Sequence, residues 1–235
     1  MILLIKAIKK LFLFFLLMAV MFFFKTIAVN GAPESKKIQE EINKLAAINK
    51  IGIKVSSAQL PSPYNELLTR PLMTQGIEKH YGRRAIIKTI FANQNPENNT
   101  YRRSIVMLID STKERNEPNF AQTTKEAMVV ELAFITMNFN ELPKNMKEEV
   151  LQTNIPFGKL LIKHHIQALS QNRNYYKLQC GRALASLINC NLNASIYGRT
   201  NTLIRADNKK WLAHVVEILP NPVETIPTIN KADLD

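Results

Sequence analysis

The sequence predicts a single domain of helices and antiparallel strand pairs, and three observations predict it. Two pairs of β-prone runs are each joined by turn formers: residues 85–91 and 101–109 around NQNPENN, and residues 196–205 and 211–219 around ADNKK. Segments with helical spacing and clear stop signals lie before and between them. The 235 residues, 46% hydrophobic and 21% charged, suffice for one good core.

The first 28 residues differ in kind. Lys6, Lys9 and Lys10 precede the apolar run LFLFFLLMAVMFFF at 11–24, and Lys25-Thr26-Ile27-Ala28 follows it. A basic start, an apolar stretch and a small-residue exit form the pattern of a secretory signal, cleaved after Ala28. The run is short of the roughly 20 apolar residues a spanning helix needs, so an uncleaved membrane anchor is the alternative. The expectation is export to the periplasm or medium, with membrane contact only through residues 1–28 if they are retained. The formal charge of +12 falls to +8 without the four leader lysines. Basic residues are scattered, with no basic run or aromatic-rich RNA-binding signature, so no nucleic-acid partner is expected.

Residues 34–50 carry apolar positions Ile38, Ile42, Leu45 and Ile48 at helical spacing, and Gly52 is placed to end that helix. A Pro- and Ser-rich connection, 56–63, follows. A helix over 75–80, capped by Thr74 and stopped by Gly82, comes next. In the strand over 101–109, Arg103 alternates with Arg102, so one of the two points with the apolar side chains. If that face is the core, its guanidinium needs an anion. A polar loop at 110–125 leads to a long apolar strand, 128–139, that contains Glu131. The break at Leu142-Pro143 opens a helix over 144–153. Pro156 introduces a second helix, 157–170, whose first turn has free N–H groups able to meet an anion.

Part of 176–188 reads as helical, and Cys180 and Cys190 lie near it. They close a disulfide in an oxidising compartment, stabilising by about 2 to 3 kcal/mol, or remain two thiols in a reducing one. The last strand holds Glu217 between Val216 and Ile218. Glu131 and Glu217, two acids inside two apolar strands, point to one polar pocket, because an unpaired buried carboxylate costs several kcal/mol or binds a proton. The domain spans 34–220, with an extended tail over 221–235.

Several chemistries are set aside. There is no GxSxG elbow, no glycine-rich phosphate loop among seven glycines, no CxxC and no HExxH. His164 and His165 diverge on a helix, and His214 faces away from Glu217 along its strand. No metal or organic cofactor is implied.

The segments LLTRPLMTQGIEKHYG, YRRSIVML, VELAFITMNFNELP, LQTNIPFGKLLIKHHI, YGRTNTLI and HVVEILP, in that order, resemble the chorismate pyruvate-lyase family and its chorismate lyase-like relatives. The resemblance covers about 67–220. It implies a single α+β domain, an antiparallel sheet with flanking helices and an enclosed ligand pocket. It also implies a lyase that eliminates pyruvate from chorismate, or a close analogue, to leave 4-hydroxybenzoate or its 3-hydroxy isomer without a cofactor. Carried over by motif, Arg103 would hold the aromatic carboxylate and Glu217 would contact the ring hydroxyl and donate a proton to the leaving group. Arg199 would take the enolpyruvyl carboxylate, Met73, Phe157 and Gly158 would line the pocket, and Glu131 would support an arginine. Phe157 stands where a Leu or Ile is usual, and Gln167 replaces a frequent glutamate. The alternative is an exported module that binds a small aromatic carboxylate without turnover.

Overall fold

The computed structural model describes residues 39–221. The leader at 1–28 and nearly all of the tail lie outside the described residues. The described residues fall into two units, one ending at Lys44 and the other beginning at Leu45. Of the first unit, residues 39–44 are helical, with Gln39 donating to Asn43 across one turn (2.9 Å).

The second unit is built on one seven-stranded sheet in the order β1-β5-β6-β7-β4-β3-β2, antiparallel throughout. Its strands are β1 (Ile53–Val55), β2 (Ala85–Asn95), β3 (Thr100–Asp110), β4 (Ala127–Asn138), β5 (Ala168–Gln179), β6 (Ser195–Arg205) and β7 (Trp211–Leu219). The helices are α1 (Ile48–Ile51), α2 (Tyr64–Leu68), α3 (Met73–Tyr81), α4 (Pro118–Thr123), α5 (Lys144–Gln152), α6 (Phe157–Lys163) and α7 (Arg182–Ile188). This is the α+β, chorismate lyase-like arrangement that the resemblance implies: an antiparallel sheet, flanking helices and a buried cavity.

Two apolar clusters share one face of the sheet. Leu67, Leu68, Met73 and Ile77 of α2 and α3 pack with Ile87, Ile105, Met107 and Ala133. Met146, Val150, Phe157, Leu160 and Leu161 of α5 and α6 pack with Met137, Leu203, Leu212 and Val215. The strand periodicity is the cause, since odd-numbered positions of β3, β4, β6 and β7 face the same way.

Several local expectations change. The β2–β3 hairpin is longer than its apolar runs, because Gln94 and Asn95 continue the ladder opposite Tyr101 and Thr100. Thr74 is not a cap: α3 begins at Met73 with Leu72 as its unbonded N-cap, while Gly82 ends it in the left-handed region (φ 62°). The polar loop after β3 contains α4. The second helix of the central stretch is α6 alone, terminated by His165 at φ 53°. Residues 168–179, which carry no clear apolar alternation, form β5 instead. Cross-strand pairing to β6 stabilises it where its own sequence is ambiguous. Cys180 follows β5 and Cys190 follows α7; the two are joined, with Cα atoms 6.1 Å apart.

Gly198 of β6 is required by close approach. A Cβ there would lie 2.6 Å from the Glu217 carbonyl oxygen and 2.8 Å from Ile48 Cδ1. The first neighbour is backbone and cannot turn aside. We expect Gly198→Ala to destabilise the chain by about 3 kcal/mol through overpacking, read as a lowered midpoint in urea with an unchanged slope.

Candidate functional site

The sheet register assembles the site. Arg103, Ile135, Val215 and Asn201 form one cross-strand row, and Ile105, Ala133, Glu217 and Arg199 form the next. Met107 and Glu131 face each other one row further. All point under a roof made by Pro71, Leu72, Met73 and Thr74 on one side and Pro156, Phe157 and Gly158 on the other. Every residue singled out for a ligand in the sequence lines this one cavity: Met73, Arg103, Glu131, Phe157, Gly158, Arg199 and Glu217. The paired cysteines stand apart from it, after β5 and α7.

Arg103 is the arginine of its pair that turns inward; it is 2% exposed, and Arg102 faces solvent. Its one hydrogen bond among the described residues runs from Nη1 to the Val150 carbonyl at the end of α5 (3.1 Å). Nε and Nη2 are buried without partners, and neither glutamate pairs with it. Burial pushes the guanidinium down to about 10, which leaves it charged at neutral pH.

The second arginine is engaged through Nε and Nη1. Arg199, 1% exposed, pairs through Nε with Oε2 of Glu217. Its Nη1 donates to the carbonyls of Leu68 (2.7 Å) and Arg70, where α2 turns toward α3. Arg173 of β5 holds the carbonyl between them, that of Thr69, and receives its own support from Ser170 Oγ, which donates to Asn201 (2.7 Å). Sequence reading did not find Asn201, Ser170 or Arg173. Alternation from Arg199 signals Asn201, but β5 had first to be recognised as a strand.

Glu131 is 2% exposed and makes no ion pair; its Oε2 has no partner. Burial, and then the neighbouring Glu217 carboxylate, raise its pKa well above the ordinary value of 4.5, against the lowering effect of Arg199. Folding therefore favours the neutral acid at Glu131, beside the Glu217 carboxylate. It sits beside an acid rather than serving an arginine directly. Because the folded chain keeps a proton that the unfolded chain releases, this stabilisation is complete below the ordinary carboxylate range and is lost as pH rises toward the raised value. Glu131→Gln should accordingly flatten the fall of stability between pH 5 and 8, measured as urea midpoints across that range.

Other polar clusters have structural partners. His164 contacts Glu149 (3.1 Å), which also pairs with Lys163 (2.6 Å). His214 lies against Trp211 and Thr202. Among the described residues no group of His, Cys, Asp and Glu could hold a metal ion, and no helix is long and apolar enough to cross a membrane. The cavity is compact, about 40 Å³, and suits a small ligand.

No protein-family profile matches the sequence, and no curated protein matches it. Solved structures are similar in fold. PhnF from Mycobacterium smegmatis aligns at 9% identity and TM-score 0.44, over 66% of this chain and 65% of that one. The isolated effector domain of PhnF aligns at 9% identity and TM-score 0.44, over 64% and 89%. A GntR-family transcriptional regulator from Enterococcus faecalis V583 aligns at 11% identity and TM-score 0.39, over 57% and 93%.

Three expectations are corrected accordingly. Elimination of pyruvate from chorismate is withdrawn, because Glu217, its expected proton donor, and Arg199, its expected carboxylate anchor, are paired with each other. Export, with its signal peptide, its periplasmic or secreted destination and its membrane-anchored alternative, is not kept, and its apolar run lies outside the described residues. The expectation of no nucleic-acid partner is not kept for a chain whose structural neighbours include transcriptional regulators.

Proposed function

We propose that this chain is a ligand-binding module that takes a small carboxylate, an aromatic one included, in the cavity beneath α3 and α6, with Arg103 as its anchor. The observation that carries this reading is the Arg103 guanidinium, buried with two nitrogens free and no acid paired to it. A buried cation without a counter-ion is costly, and a planar fork of free N–H donors matches a carboxylate. Apolar neighbours Ile87, Ile105, Ile135 and Phe157 suit the body of such a ligand. Met73 and Phe157, the first residues of α3 and α6, line the same cavity.

Arg103 and Arg199 set against Glu217 leave one net positive charge among these three side chains. A monoanion balances it. Titration calorimetry with benzoate and 4-hydroxybenzoate tests the reading in wild type and Arg103→Met. Binding by wild type and a loss of about 100-fold or more in the variant is expected, as for a charge-assisted contact made in a desolvated site. Equal binding by both, or binding by neither, contradicts it.

A further inference from the structure

Glu131 has a place in the same cavity that a monocarboxylate leaves unused. It lies four residues along the ladder from Arg103, since Arg103 faces Ile135 and Met107 faces Glu131. That separates the two Cα atoms by roughly 13 Å, and the side chains shorten the gap to the length of a small molecule. At one end is a guanidinium with free donors, and at the other a carboxyl oxygen with no donor to accept from. Glu217 stands beside Glu131 but is already matched by Arg199. At 2% exposure for both Arg103 and Glu131, these atoms are reached only by a molecule inside the cavity.

We infer that the ligand of this cavity is a small amino-carboxylate, its carboxylate on Arg103 and its ammonium group on Glu131. This rests on the binding reading above and narrows it. A bound ammonium gives each charged group in the cavity an opposite partner: Arg103 with the ligand carboxylate, Arg199 with Glu217, and ionised Glu131 with the ligand nitrogen. Glu131 enters this arrangement by releasing to solvent the carboxyl proton that burial favours, so binding of the amine is accompanied by proton release. A plain carboxylate leaves Glu131 protonated and releases none.

The experiment is calorimetry on the full chain with linear ω-amino acids of four to six carbons. The alkyl carboxylates and ω-hydroxy acids of equal length serve for comparison, and two buffers of different ionisation enthalpy report the proton. Wild type is expected to bind one amino acid at least tenfold tighter than both comparison ligands, with proton release. Glu131→Gln should collapse that ratio toward one. An alkyl or hydroxy acid that binds as tightly as the amine, or a preference that survives Glu131→Gln, overturns the inference while the carboxylate site stands. Binding of none of the three ligand types overturns both. Should Glu131→Gln fail to fold, proton release in wild type still decides: its absence on binding the amine overturns the assignment.

Discussion

Glu217→Gln should unfold about 3 kcal/mol more easily than wild type, a fall in Tm of roughly 10 °C for a domain of this size. The substitution keeps the shape of the side chain and removes the negative charge that faces Arg199. Arg199 is 1% exposed and cannot recruit water to replace it. Two carbonyls at the turn from α2 to α3 also depend on the same guanidinium, so faster amide exchange over residues 68–74 should accompany the loss. Glu131 moderates the effect, since its proton can leave and its carboxylate take the place of Glu217. The Glu131→Gln, Glu217→Gln double variant should therefore lose more than the sum of the single changes, a coupling that a double-mutant cycle reads directly. Additive losses would mean that the two acids act separately.

Arg103→Met should do the reverse to stability. Removing an uncompensated buried cation, and keeping the packing of its stem with an apolar side chain of similar length, stabilises by about 1 to 2 kcal/mol. The Tm rises by roughly 3 to 6 °C, and carboxylate binding disappears. That combination distinguishes a binding residue from a structural one, because function commonly retains groups that stability disfavours. A fall in Tm would show instead that the bond from Arg103 to the Val150 carbonyl matters more than the buried charge.

Much of the site was legible in the sequence because strands report their faces. Alternation along 101–109 requires one arginine of Arg102-Arg103 to turn inward, and an acid within each of two apolar runs marks Glu131 and Glu217 as neighbours in a pocket. The structure brings all three to one cavity. Which groups pair was not legible: register decides it, and places Glu217 across from Arg199 while leaving Arg103 without an acid. β5 was missed for a related reason. A strand half-buried along most of its length, with Ser170, Gln171, Asn172 and Asn174 in it, loses the period-two signal, and only pairing to β6 and β1 fixes it. The function expected from the resemblance did not survive, since the segments that carry it specify a fold and a cavity, and the chemistry depends on the pairing inside.

The central claim is that Arg103 waits, unpaired, for a carboxylate, and the side-chain Nε–Hε resonance of Arg103 observes that atom. Assigned by its disappearance in Arg103→Met, it should shift downfield and exchange more slowly with solvent when a carboxylate ligand is added, while the corresponding Arg199 resonance stays in place. A resonance that does not move at saturating ligand, or a shift confined to Arg199, would contradict the account.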